Sequence, residues 1–358
     1  MQDWITREAA VVNNDEIDPS YHALCRAEYL MSFLSIGDWG DKGAKKLSQH
    51  MGSYSPEGGV SRTNERGRFI SRTDLKNDKG VSGVDDPQFK EKFEDTFAED
   101  ALQVPWYVCA GNHDYYGGNT GIQAEMDYTQ KSDRWYYPSL YYSKDVTAAD
   151  GTSITLLSID TWRLNGGDTF VKFDPATNRS ALRNLTDVLI KHEAGVITNG
   201  TVHQLLKHFP EEDPSDRVEV SSDSDQLQFI EKALSKSTAD WKIVMGHFPV
   251  HSASRFEHGD TPSLVKSLEP LLEKYNVDMY FNGHDHILQH IVKNGVSYFG
   301  SGAGAREHNG VNKGYKGLKG YMEGKYGFMA HKGNKTSLKT TFVNEDGSKT
   351  YTYTINKE

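Results

Sequence analysis

Five short apolar runs, each closed by a glycine or an aspartate, constrain this chain most. They are "MSFLSI" (31–36), "PWYVCA" (105–110), "SITLLSI" (153–159), "WKIVM" (241–245) and "VDMYF" (277–281). Gly37, Gly111, Asp160 and Gly246 follow the first four directly, and Gly283 stands two residues past the fifth. Apolar runs of this length, bounded by turn residues, read as buried strands. Amphipathic segments lie between some of them. Phe89, Phe93 and Phe97 recur at i, i+4 and i+8, and Leu227, Ile230 and Leu234 share one helical face, as do Leu264, Leu268 and Leu271. Strands alternating with helices predict a layered α/β domain. The tail predicts further strands at "KYGFMA", "SLKTTFV" and "KTYTYTI", the last two joined by the turn "NEDG".

Bulk properties narrow the function classes. The chain has 358 residues, enough for one large domain or two ordinary ones. A net charge of −10 with no basic run disfavours a nucleic-acid partner. No apolar stretch approaches the roughly 20 residues of a membrane helix, and the first twenty residues show no basic-then-apolar leader pattern. Cys25 and Cys109 make no disulfide framework, and Cys109, inside an apolar run, reads as a small buried hydrophobe. Sequons stand at Asn178, Asn184, Asn199 and Asn334, and would make the chain a glycoprotein on a secretory route. Residues 1–30 read as an N-terminal extension and 165–224 as a polar surface insertion. Residues 40–73 are atypical, because "SYSPEGGVSRTNERGR" is loop-like where a helix leading into a strand is expected. The aromatic "RWYYPSLYY" reads as core and strand packing rather than a substrate platform.

The chemistry gathers at the carboxyl ends of the runs. The first delivers Asp38, the second Asn112, His113 and Asp114, the fourth His247, and the fifth His284 and His286. In open α/β sheets such strand ends are where sites form, and in extended chain the i and i+2 side chains of "HDH" point the same way. A carboxylate, an amide oxygen and imidazoles form a mixed N/O donor set that suits iron, zinc or manganese. Five donors exceed one tetrahedral site with an open position. They suit two metals sharing a bridging carboxylate, an arrangement used for phosphate-ester hydrolysis.

Taken in order, GD-x-G, GNHD, GH-x-P and GHDH resemble the motifs of the calcineurin-like metallophosphoesterases, and within them the tartrate-resistant (type 5) purple acid phosphatases. The resemblance runs from about residue 31 to about residue 304, with support from "VPWYVCAGNHDYYGG", "VMGHFPVHS" and "YFGSGAG". It implies a single domain at 31–358, a four-layer α/β/β/α sandwich of two mixed β-sheets. It implies a monomeric acid phosphatase, secreted or lysosomal/vacuolar, that hydrolyses phosphate monoesters by in-line attack of a metal-bound hydroxide. Asp38 and His286 are expected to bind a first metal, iron in that family. Asn112, His247 and His284 are expected to bind a second, divalent one (Fe, Zn or Mn). His113 and His258 are expected beside the substrate phosphate, and Asp114 as a partner orienting a histidine. His258 stands two residues further from its GH motif than the family pattern. The family's G-D-x-x-Y motif is absent: aligned from "GVSGVDDPQFKEKFEDTF", its slot falls on "TDLKN", with Asp74 at the bridging position and Asn77 in place of the metal-binding tyrosine. That loss keeps two other readings in play: a divalent-metal phosphodiesterase or nucleotidase of the same fold, and a catalytically impaired phosphatase-like scaffold.

Overall fold

The computed structural model describes residues 31–40, 43–54, 68–69, 80–167 and 223–357. Its largest sheet has seven strands in the order β11-β9-β10-β8-β7-β6-β5. These are β5 (Tyr142–Thr147), β6 (Ser153–Ser158), β7 (Trp241–Met245), β8 (Met279–Asn282), β9 (Leu288–Lys293), β10 (Val296–Ser301) and β11 (Leu318–Met322). The central strands β6, β7, β8 and β10 run parallel, and antiparallel strands close both edges, so the sheet is mixed. Central strands covered on both faces are largely apolar, which is why β6, β7 and β8 appear in the sequence as apolar runs, interrupted only by residues such as Thr155 and Lys242.

The facing layer is built in two pieces. One is the antiparallel sheet β1-β12-β13-β14, from β1 (Met31–Ser35), β12 (Gly327–Gly333), β13 (Ser337–Asn344) and β14 (Lys349–Asn356). The other is a short parallel ribbon of β2 (Arg68–Phe69), β3 (Trp106–Tyr107) and β4 (Trp135–Tyr136), with β2 lying beside β1. The described strands thus form three sheets rather than the two expected, with the antiparallel sheet and the parallel ribbon side by side as one layer facing the mixed sheet.

One core fills the space between the layers. Phe33 of β1 meets Phe281 of β8 edge-on at 6.2 Å and stacks on His331 of β12 at 4.4 Å. Phe89, Phe93 and Phe97 extend this core around Trp39, Trp106 and Trp135. Their i, i+4 spacing suggests an α-helix, but the segment Phe89–Glu94 is a π-helical turn, with Asp95 N–H donating to Lys90 O at 2.8 Å. A second core lies outside the seven-stranded sheet, under helices Ser224–Lys236, Pro262–Ser267 and Glu269–Lys274. Helix Gly43–Ser53 covers the other side of the molecule, with Ala44, Leu47 and Met51 buried. The layers are therefore helix, sheet, sheet, helix.

Several local readings are corrected or completed. The start of the atypical stretch 40–73 is this regular helix. The apolar run 105–110 contributes only two ladder residues, because the carbonyl of Val108 turns to accept from the hydroxyls of Tyr142 and Ser158. Leu264 and Leu268 are fully buried, but a second short helix starts at Glu269, with Pro270 in its first turn, and Leu272 completes the face. Cys109 is buried, and Trp135, Tyr137 and Tyr142 of the aromatic stretch lie in the interior. Asp223, inside the stretch read as an insertion, caps helix Ser224–Lys236, accepting from Gln226 N–H at 3.1 Å. The sequons at Asn178, Asn184 and Asn199, together with Cys25, Asp74 and Asn77, lie outside the described residues. Among the described residues no helix is long and apolar enough to cross a membrane.

Candidate metal centre

Backbone bonds zip the strand ends of both sheets into one rim. Gly37 N–H donates to Ser301 O at 2.7 Å, Gly304 N–H to Gly37 O at 3.1 Å, and Gly283 N–H to His247 O at 3.0 Å. These close approaches explain the glycines: a Cβ on Gly283 would stand 2.3 Å from Asp38 Oδ2, and one on Gly304 2.3 Å from Gly37 O. Two of the side chains so presented carry a backbone cost. Asp38 and His284 both have positive φ, 54° and 70°, and each holds the other, since His284 N–H donates to Asp38 Oδ2 at 2.9 Å.

The expected residues converge in two groups. In one, His247 Nε2 lies 2.8 Å from Asn112 Oδ1 and 3.0 Å from His284 Nδ1. A single proton on His247 Nε2 or His284 Nδ1 cannot satisfy all three atoms, whereas a cation at their centre can. Burial, and then the neighbouring rings of His258, His247, His286 and His113, push His284 well below the ordinary histidine range, so it keeps a neutral ring with a lone pair to give. In the other group, His286 Nε2 faces Asp38 Oδ1 at 3.8 Å. An imidazole nitrogen and a carboxylate oxygen at that separation are a donor pair that a cation between them would suit. The donor chemistry therefore fits a metal at both places, and Asp74, the expected bridge between them, lies outside the described residues.

His258 also reaches the site despite its longer spacing. Its ring stacks on His284 with centroids 3.7 Å apart, and Asp285 Oδ1 lies 3.1 Å from its Nδ1 and accepts from its backbone N–H. His113 follows Asn112, and its ring packs against Tyr116 at 4.8 Å. Asp114, expected to orient a histidine, has Oδ2 accepting from Gly111 N–H at 2.8 Å, which shapes the turn that presents Asn112 and His113.

The third strand end carries no donor to the centre and acts as a brace. Asp160 is fully buried, accepts from Tyr115 Oη and caps a helical turn through Arg163 N–H. Burial lifts its carboxyl to about 6, against the hydrogen bonds from Tyr115 and Arg163. Thr161 Oγ1 accepts from the backbone N–H groups of His247 and Phe248, at 3.0 and 2.9 Å.

Sequence reasoning missed Asp285, Glu257 and His308. Asp285 was in view inside "HDH", but nothing local told that it points away from the rim to grip His258. Glu257 immediately precedes His258, and its carboxylate accepts from His286 N–H and touches the His286 and His308 rings. Burial raises the Glu257 carboxyl, but its contacts with His286 and the nearby His308 outweigh this and leave it below the usual range.

Residues 31–288 match the Calcineurin-like phosphoesterase family, and the chain belongs to it. Its relatives narrow the class. Tartrate-resistant acid phosphatase type 5 of Oryctolagus cuniculus is 33% identical over 279 residues, 76% of this chain and 73% of the relative. Purple acid phosphatase 4 of Arabidopsis thaliana is 29% identical over 340 residues, 91% of this chain and 84% of the relative. Among solved structures, GAP50, the anchor in the inner membrane complex of Plasmodium, shares the fold with a TM-score of 0.64 at 20% identity, covering 92% of this chain and 89% of that one. The chain is accordingly a hydrolase of the acid phosphatase group, in a family that works with metal ions.

Proposed function

We propose that this chain hydrolyses phosphate monoesters at a pair of metal ions. Asp38 and His286 would hold the first ion and Asn112, His247 and His284 the second, with Asp74 between them. The observation that carries the reading is the convergence of Asn112 Oδ1, His247 Nε2 and His284 Nδ1 beside the facing pair Asp38 and His286. When bound, two such cations supply Lewis acidity to the phosphoryl oxygens and bring a water's pKa toward neutrality.

The protein's own groups do the rest. Asp285 is buried and grips Nδ1 of His258, so that ring turns its Nε2 edge away from the carboxylate. Protonated, His258 holds a transferable proton at Nε2 for the departing alkoxide. His113, next to Asn112 in the chain, orients the phosphoryl oxygens by hydrogen bonding. The neutral ring of His284 keeps positive charge off the protein side of the site, leaving room for the cations.

Asn77 in the tyrosine slot favours divalent ions at both places. The purified protein is then colourless, and a visible tyrosinate charge-transfer band refutes the Asn77 assignment. The test of function is metal removal with a chelator, reconstitution with Zn2+, Mn2+ or Fe2+, and assay of p-nitrophenyl phosphate against bis(p-nitrophenyl) phosphate. Restored turnover of the monoester supports the proposal. A strong preference for the diester moves the chain to the phosphodiesterases, and no turnover with any ion leaves a scaffold.

A further inference from the structure

We infer that Glu257 is a positioning residue: it fixes His286 in the Nδ1–H tautomer, and His308 steadies it from the other side. The inference rests on the metal-centre reading above and assigns a role to two residues outside the motifs. Both oxygens of the one carboxylate are taken up by His286. Oε2 accepts from its backbone N–H, and Oε1 lies 2.6 Å from its Nδ1. The contact is an ion-pair distance rather than an in-line hydrogen bond. A lone pair on Nδ1 that close would repel the carboxylate and a proton there attracts it, so the proton is placed on Nδ1. The opposite nitrogen, Nε2, is then bare, and it is the one that faces Asp38. A carboxylate behind a ligand histidine fixes its tautomer and raises its basicity.

The surrounding loops are built to hold this carboxylate still. Its side chain is only 5% exposed. His308 Nε2 lies 3.4 Å from the same Oε1, and His308 N–H donates to His286 O at 3.0 Å. Arg255 N–H donates to Gly310 O at 3.0 Å, which ties the Glu257 loop to the His308 loop. The ligand-capable atoms of Glu257, His286 and His308 lie within 4.8 Å of one another, so direct metal binding by the three is the competing arrangement. It would require Oε1 to exchange its direct contact with His286 Nδ1 for a cation, while Oε2 kept the backbone N–H, and that direct contact is why positioning is the role assigned.

The test reads the tautomer in the metal-free protein. Full-length protein carrying 15N-histidine is compared with Glu257→Ala, Glu257→Gln and His308→Gln, the His286 resonances being assigned from their loss in His286→Gln. Zn2+ titration of each variant gives affinity and stoichiometry. The wild type is expected to show a protonated Nδ1 and a bare Nε2. Glu257→Ala should shift His286 toward Nε2–H and weaken one of two Zn2+ sites by about 10- to 100-fold. Glu257→Gln, of the same size, should keep the tautomer with a smaller loss, and His308→Gln should keep it too. A wild-type His286 protonated on Nε2 overturns the inference, as does Glu257→Ala with unchanged tautomer and Zn2+ affinity. Loss of a whole Zn2+ with an unchanged tautomer overturns it in favour of direct ligation. Because the tautomer is read without metal or substrate, a failed phosphatase reading would leave this result standing on its own.

Discussion

At the scale of single residues, the centre depends on positions where a side chain is forbidden as much as on those where one is required. Gly283→Ala places a methyl group against Asp38 Oδ2, where the room is 2.3 Å. Displacing one donor by about 1 Å costs roughly 100-fold in rate, so kcat/KM for an aryl phosphate should fall by about that factor or more. A near-normal value would show that the Asp38 position is not critical. His258→Asn should lower kcat on substrates with poor leaving groups far more than on p-nitrophenyl phosphate, whose leaving group needs little protonation. Equal losses on both would remove the proton-donor role. Most of these donors are legible in the amino-acid sequence alone. Asp38, Asn112, His247, His284 and His286 each follow an apolar run within a few residues, and a turn that close to a strand leaves the side chain little choice of place. Glu257 and His308 are not legible there. They sit on irregular loops, and only folding brings them to His286, whose own motif gives no hint of them.

At the scale of elements, local pattern predicted what local physics decides. Trp241–Met245 matches its apolar run residue for residue, because a strand buried on both faces needs nothing else. The run at 105–110 yielded a two-residue strand, since side-chain hydroxyls took the Val108 carbonyl that a ladder would have used. The Phe89–Glu94 turn widened to a π-helix while keeping Phe89 and Phe93 buried, so aromatic packing overrode the regular period. The brace at Thr161 makes a testable element. Thr161→Val leaves two N–H groups, of His247 and Phe248, without their acceptor in a buried place. The expected cost is about 2 kcal/mol or more, measured by urea unfolding, with Thr161→Ser close to wild type. An unchanged midpoint in the valine variant would mean another acceptor has taken both.

At the scale of the whole molecule, two buried histidines set how the fold tolerates acid. Burial holds His290 and His331 near 3, with Lys319 adding to the effect at His290, against about 6.5 in an unfolded chain. The folded state therefore binds fewer protons than the unfolded one between these values. Their contribution is fully present above pH 6.5 and is lost as pH falls toward about 3, on the order of 2 kcal/mol for each by pH 5. Asp160 acts with the opposite sign: its folded value of about 6 lies above the unfolded one, so it favours folding as pH falls through 6 and partly offsets the histidines. Net stability should still decline from pH 7 to pH 5, and His290→Phe should flatten that decline. An equal slope in both proteins would show that His290 is not buried neutral. The pairing of β1 with β12, and the order of the seven-stranded sheet, could not be read from the chain. Contacts between residues hundreds of positions apart leave no local trace in sequence.

Asp38 belongs to one sheet layer and His284 to the other, and their hydrogen bond spans 246 positions of sequence. An ion held between such residues is also a clasp. It closes a very long loop and joins the two halves of the sandwich at a point where they otherwise meet through backbone bonds between glycines and their neighbours. Its binding energy is then folding energy as well. The chain stripped of metal should melt at a lower temperature and open first along this rim, and the temperature at which it comes apart should rise with the concentration of free ion.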